Sequence, residues 1–223
     1  MNQLKKILVT GANGYLGSHL SYRLIELGYD VVLSDIDDES ILDYHKYVKH
    51  DFSELEKIEN LLKDIDIIFF FTGKTGPAQE GFNNPQEFIL GNEVTLSNLL
   101  CAIKNLSNKP KIVFPSTRLL YKGVENLALS EESEIEAKTV YALNKIACEN
   151  LLDLYQRCFD INYVVFRISL PYGSFIPQKK VSYGIMSYLL NEAKNKQNLQ
   201  IFGTGNQVGT FLHVYDLVEM LIA

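Results

Sequence analysis

Three glycines spaced Gly11-x-x-Gly14-x-x-Gly17 constrain this chain more than any other feature, because they follow the apolar run Ile7-Leu8-Val9 directly and open an amphipathic segment from Tyr15 to Leu27. A strand that turns sharply into a helix aims several backbone N–H groups, and the positive end of the helix dipole, at whatever lies above the turn. A pyrophosphate fits there. Gly11 permits the tight turn, Gly14 lets the backbone approach a phosphate, and Gly17 lets the helix pack closely on the strand. The glycines alone also suit an ordinary strand-to-helix turn, so the rest of the chain has to decide between the two.

Strand-like and helix-like runs alternate along the chain, which predicts an α/β fold: a Rossmann-type doubly wound parallel sheet with helices on both faces. The run Asp30 to Asp35 (DVVLSD) reads as a second buried strand ending in an acid eighteen residues beyond Gly17. A carboxylate there meets the adenosine ribose and repels a ribose 2′-phosphate, so Asp35 favours NAD over NADP. It also suits a loop cap within the acidic run Asp35, Asp37, Asp38, Glu39. A short third strand is expected over Tyr47 to Asp51 and a charged helix over Leu55 to Lys63. A central strand over Ile65 to Thr72 ends at Thr72-Gly73, and a ligand-side loop follows from Lys74 to Pro85. Further expected elements are a helix from Gln86 to about Leu106, strands at Lys111 to Phe114 and Asn162 to Arg167, and a helix over Tyr183 to Lys194. A short strand at Gln200 to Phe202 follows, then a strand at Phe211 to Val214 and a helix from Asp216. The expected division is a dinucleotide-binding domain over 1–173 and a partial substrate lobe over 174–223, whose last strand and helix return to the first domain. The helix pattern breaks off at Ala223, so the substrate lobe is expected to be incomplete.

Composition narrows the class of function. At 223 residues and 47% hydrophobic the chain can bury a substantial core. A net charge of -6, with no basic tract, makes nucleic acid an unsuitable partner. No apolar run is long enough to span a bilayer or to form a signal-peptide core, so a cytoplasmic protein is expected. The odd, widely spaced cysteines Cys101, Cys148 and Cys158 read as buried free thiols, and the four histidines show no ligand spacing, so no metal site is expected.

A second constellation lies at Tyr141-x-x-x-Lys145, at the start of a helix pattern. Positions i and i+4 share a helix face, and a nearby ammonium favours the phenolate, lowering the phenol's pKa toward neutrality. The same spacing also suits a solvated surface pair.

Taken together, Thr10–Gly17 (TGANGYLG), Asp35, Asp51-Phe52, Phe71-Thr72-Gly73, Asn92, Ser116-Thr117, Tyr141-x-x-x-Lys145, Pro171-Tyr172-Gly173 and the FLHVYDL run from Phe211 fall in the order and rough spacing of the extended short-chain dehydrogenase/reductases. More narrowly, the chain resembles the NAD-dependent epimerase/dehydratase family that acts on nucleotide sugars. The resemblance implies that Gly11, Gly14, Tyr15, Leu16 and Gly17 hold the pyrophosphate of NAD and Asp35 its adenosine ribose. Asp51 and Phe52 would flank the adenine, and Phe71, Thr72 and Gly73 would line the path to the nicotinamide ribose. Asn92 and Ser116 are carried over with the cofactor site. Tyr141 would be the acid/base, Lys145 would bond the nicotinamide ribose, and Thr117 would hydrogen-bond the reacting oxygen. The implied substrate is a nucleotide sugar and the implied assembly a homodimer.

Three departures limit the resemblance. Arg118 and Leu119 stand where family dehydratases carry Asp-Glu, which disfavours dehydration. Gly209 stands where many members carry an Arg that binds the substrate diphosphate, leaving Arg118, Lys179 or Lys180 as other sources of positive charge. Family members also continue well past Ala223. The expected function is therefore an epimerase or a ketoreductase, with a non-catalytic NAD-binding sensor as the other reading.

Overall fold

The computed structural model describes residues 5–56, 58–123, 128–176, 183–195, 198–199, 204–206 and 208–223. Its frame is six parallel strands: β1 (Lys6–Thr10), β2 (Asp30–Asp35), β3 (Tyr47–Lys49), β4 (Ile67–Phe70), β5 (Lys111–Thr117) and β6 (Tyr163–Ile168). They lie in the order β3-β2-β1-β4-β5-β6. The order reverses between β1 and β4, and in a sheet of this kind the crevice beyond the carboxyl ends of those two strands is where ligands bind.

The apolar runs are continuous because both faces of the sheet are covered. Leu8, Ile68 and Ile112 point to one face, into a core with Leu96, Leu99, Leu100, Cys148 and Leu152. Ile7, Val9, Val31, Leu33, Phe69 and Val113 point to the other, against Leu20, Leu24, Val214, Leu217 and Leu221. Each such side chain contributes roughly 1.5–3 kcal/mol on full burial. The first face carries α5 (Thr95–Ile103) and α6 (Val140–Phe159); the second carries α1 (Tyr15–Glu26) and α8 (Val214–Ile222). Thr139 caps α6, its hydroxyl accepting from the Ala142 N–H at 3.1 Å.

Shorter helices α2 (Ile58–Leu61), α3 (Ala78–Asn83) and α4 (Pro85–Ile89) fill the connections. The expected helix over 86–106 is continuous in path but not in type: one π-helical turn, Leu90–Val94, joins α4 to α5. Strand β5 runs past the expected end at Phe114 to Thr117, so Pro115 lies within a strand. A proline is tolerated because β4 pairs with β5 only as far as Val113, which leaves Pro115 a strand neighbour on one side.

Two short strands that no local pattern announced as a pair, β7 (Leu170–Tyr172) and β8 (Phe211–His213), form a separate parallel ribbon. Helix α7 (Gly184–Lys194) packs near β7 with none of its side chains fully buried. The expected strand at 200–202 and the residues Pro177, Lys179 and Lys180 lie outside the described residues. Of the cysteines, Cys148 is buried, Cys101 is half-buried and Cys158, in the last turn of α6, is exposed, which corrects the expectation of three buried thiols. Among the described residues no helix is long and apolar enough to cross a membrane.

Candidate active site

The turn after β1 has the geometry that its glycines require. Gly11 has φ +62°, and a Cβ there would lie 2.6 Å from the Phe71 carbonyl at the end of β4. At Gly17 a Cβ would lie 2.0 Å from the Gly11 carbonyl oxygen, so only a glycine lets α1 sit this close to the turn. Gly14 is the residue before α1 and supplies no side-chain cap. The first-turn N–H groups of α1 are thus left for a ligand above them. Asp35, at the end of β2, is oriented toward this turn: its carboxylate accepts from the Asn13 N–H at 2.8 Å and from the Ile36 N–H at 2.7 Å.

A cleft of about 370 Å³ opens on this turn and runs across the carboxyl ends of β4 and β5. That is the size of a small-molecule site. Gly11, Gly14, Tyr15, Leu16, Gly17, Phe71, Gly73, Asn92, Ser116, Thr117, Tyr141 and Lys145 all line it. Asp35, Asp51, Phe52 and Thr72 do not. Asp51 is exposed and binds the Ser53 N–H, while the Phe52 ring is buried in the core against Phe70, their centroids 5.4 Å apart. The Phe52 side chain is therefore part of the core and not of the cleft wall. The Thr72 N–H donates to Thr10 Oγ1 at 3.2 Å, tying the ends of β1 and β4 together.

Several polar atoms in the cleft lack the partners that burial normally demands. Asn92 lies in the π-helical turn and donates from Nδ2 to the carbonyls of Lys74 and Phe88, both at 2.9 Å, yet its Oδ1 is buried and unpartnered among the described residues. Ser116 Oγ is likewise orphaned. A Cβ at Gly73 would lie 2.8 Å from Asn92 Oδ1 and 3.9 Å from Lys145 Nζ, so this glycine keeps a space in which those two polar ends converge. Buried donors and acceptors with no partner are costly, and a ligand with hydroxyl groups would satisfy them. The glycine turn, Asn92, Ser116 and the open space over Gly73 thus fit a dinucleotide.

Tyr141 and Lys145 occupy successive turns of α6, as their spacing requires, but they are not a solvated pair: Lys145 is 4% exposed. Burial also reverses the expected electrostatics. Desolvation raises the Tyr141 phenol above its usual range, with the Tyr183 and Cys148 charges adding to the rise. Desolvation lowers Lys145 to about 8. The ammonium sits 4.4 Å from the Phe114 ring centroid and 5.7 Å from that of Tyr141. The expectation that Lys145 depresses the phenol's pKa is therefore not met in the free site, where loss of hydration outweighs the charge. Thr117 is 6% exposed, and its Oγ1 accepts the Leu119 N–H at 3.2 Å, which leaves its hydroxyl hydrogen to donate into the cleft.

Residues that the spacing of motifs did not single out complete the walls. Lys74 and Thr75 follow the strand-ending Thr72-Gly73, and that position was the available signal. Lys74 is ion-paired to Glu80 at 2.8 Å. Tyr183 had no local signal: it precedes α7, stacks on Tyr15 at 5.2 Å and brings its hydroxyl within 3.4 Å of Thr75 Oγ1. Tyr15 in turn donates to the Gly173 carbonyl at 2.9 Å.

Comparison with known proteins agrees with this geometry. The chain is 28% identical over 250 residues to UDP-glucose 4-epimerase 2 of Arabidopsis thaliana, covering 98% of this chain and 71% of that protein. Among solved structures it resembles a UDP-N-acetylglucosamine 4-epimerase of Methanobrevibacter ruminantium bound to UDP-N-acetylmuramic acid, with TM-score 0.85, 22% identity, and 99% and 72% of the two chains covered. It also resembles a UDP-glucuronic acid 4-epimerase of Bacillus cereus bound to UDP-glucuronic acid and NAD, with TM-score 0.83, 24% identity, and 97% and 72% covered. At these identities the two structures speak for the fold. The model of the NAD dependent epimerase/dehydratase family matches residues 7–223, and the chain belongs to that family.

Proposed function

We propose that this protein is an NAD-dependent enzyme that acts on a nucleotide sugar, exchanging a hydroxyl and a keto group at one sugar carbon, as an epimerase or a ketoreductase. The observation that carries this reading is the meeting of Thr117, Tyr141 and Lys145 in one cleft that begins on the glycine turn. A binding module has no need of such a matched set.

Bound NAD supplies the hydride acceptor and donor. The chain's own residues handle binding and the proton. The N–H groups from Tyr15 to Gly17 would hold the pyrophosphate, Asp35 would hold the adenosine ribose, and Asn92 Oδ1, Ser116 Oγ and Lys145 Nζ would hold the nicotinamide half. Asp51 and the backbone of Phe52 would flank the adenine. Thr117 donates to the reacting oxygen and fixes its orientation. Tyr141 would take the proton of the substrate hydroxyl at its phenolic oxygen and return it in the reverse direction. With Lys145 at about 8, its ammonium is largely retained at neutral pH and opposes the desolvation that holds the phenol protonated. The relative named as a UDP-glucose 4-epimerase supports the substrate class.

Adding NADH and a 4-keto nucleotide sugar separates the two chemistries. Stoichiometric loss of the cofactor's absorbance identifies a ketoreductase, and a retained, recycled cofactor identifies an epimerase. Calorimetry with NAD followed by UDP-, dTDP- and GDP-sugars tests the reading itself: NAD binding with no sugar binding would support a non-catalytic sensor. A homodimer belongs to the same proposal. It rests on the exposed Ile89 and Leu90 in the interrupted helix and on Leu143 and Leu154 of the neighbouring α6, and sedimentation would give the mass.

A further inference from the structure

Of the three cations that line the cleft, Arg118 has a charge that nothing among the described residues answers. The sequence has four arginines. Arg23 pairs with Glu26 and Glu219, Arg157 with Asp153, and Arg167 with Glu149, all within 2.9 Å. Arg118 forms no ion pair among the described residues, although it lines the cleft and its Nε is buried without a hydrogen-bond partner. Among the described residues no Asp or Glu lines the cleft. The other cations in the wall are accounted for: Lys74 is held by Glu80 and Glu87, and Lys145 belongs to the Tyr141 side of the cleft.

The guanidinium reaches toward the β7–β8 ribbon. A Cβ placed on Gly209 would lie 4.0 Å from Arg118 Nη2 and 3.0 Å from Leu170 Cδ1, so the glycine leaves open the space beside the charge. An unpaired, partly buried guanidinium is an expensive group to keep. Its planar fork matches an oxyanion, and Arg118 directly follows Thr117, which lines the same cleft and in the proposed function holds the reacting oxygen.

Resting on that function, we infer that Arg118 is the specificity-determining residue of the substrate half of the cleft, binding an oxyanion that the substrate itself carries. Two groups of a nucleotide sugar have this chemistry: its diphosphate and a carboxylate on the sugar ring. Arg118 selects substrates bearing such a group close to the reacting carbon, and Gly209 keeps the approach clear.

The test is calorimetric titration of the NAD-loaded protein and its Arg118→Gln and Arg118→Lys variants with sodium pyrophosphate, UDP, UDP-glucose and UDP-glucuronate. Removing a charge-assisted, bidentate contact should weaken binding roughly ten- to a hundred-fold in Arg118→Gln, with partial recovery in Arg118→Lys. Loss shared by UDP, UDP-glucose and UDP-glucuronate assigns the diphosphate; loss confined to UDP-glucuronate assigns the sugar carboxylate. The melting temperature of ligand-free Arg118→Gln should be unchanged or raised, because the variant removes an uncompensated charge. Equal affinities for every probe in variant and parent overturn the inference, and a lowered melting temperature with those equal affinities marks a structural residue instead. If the parent binds none of the uridine ligands, the nucleotide-sugar reading fails by itself and pyrophosphate decides for Arg118. Weaker pyrophosphate binding in the variant then supports it, and equal or absent binding overturns it.

Discussion

Lys145 sits where two demands conflict, since the proposed chemistry wants a charge and the surrounding core penalises one. Its pKa, lowered to about 8 by burial, stands below the ordinary lysine value of 10.5, so between those two values the unfolded chain holds more protons than the folded one. Stability then rises with pH across that window. Lys145→Met removes the effect. In the cofactor-free protein the advantage of Met over Lys should shrink by up to about 3 kcal/mol between pH 7 and pH 10. Denaturant melts of both proteins at each pH would show it, and a pH-independent gap would contradict the buried-ammonium account. Asp35 permits a second prediction at this scale. Its carboxylate, steered toward the glycine turn by the Asn13 N–H, would repel a 2′-phosphate in the proposed cofactor site. Asp35→Ser should weaken NAD roughly ten-fold and narrow the preference over NADP by at least that factor, measured by titrating both cofactors.

Among the elements, the junction of β1 with α1 has the least freedom. A methyl at Gly17 would press on the Gly11 carbonyl oxygen, which accepts the Gly14 N–H, and Gly11 itself lies close against the Phe71 backbone. Gly17→Ala should therefore cost about 2–3 kcal/mol in thermal or denaturant unfolding and weaken NAD binding along with it, because α1 must lift from the turn whose N–H groups would hold the phosphate. This junction was legible in the sequence, since glycine spacing is a local steric requirement. The alternation of apolar runs was legible for the same reason, and so was the shared face of Tyr141 and Lys145. What spacing could not reveal was depth. It placed an ammonium beside a phenol but did not show that the wall around them removes water, so the direction of the Tyr141 shift came out reversed. It placed Phe52 next to a site but could not tell that its ring turns inward toward Phe70. The π-helical turn at Asn92 was also hidden, because no residue type announces it. Three-residue strands forty positions apart, such as β7 and β8, carry no periodicity from which a pairing could be read.

On the scale of the whole molecule, a sheet buried on both faces presents its strand ends as the one edge where polar chemistry can gather. The reversal of strand order between β1 and β4 opens the crevice, and the same crevice collects the glycine turn, the orphaned Asn92 and Ser116 atoms, and the Thr117, Tyr141 and Lys145 side chains. Helix α8 packs back on α1 through the second core, so the chain's last described turn supports the helix on which the cofactor would rest. The central claim is that this single cleft joins a dinucleotide seat to a tyrosine that moves the substrate's proton. The most direct measurement is single-turnover reduction of bound NAD by a UDP-sugar, followed by nicotinamide absorbance in the parent and in Tyr141→Phe, with both ligand affinities measured alongside. The account predicts a rate at least about a hundred-fold lower in the variant with both affinities retained. A variant that reduces its cofactor at the parental rate would contradict it.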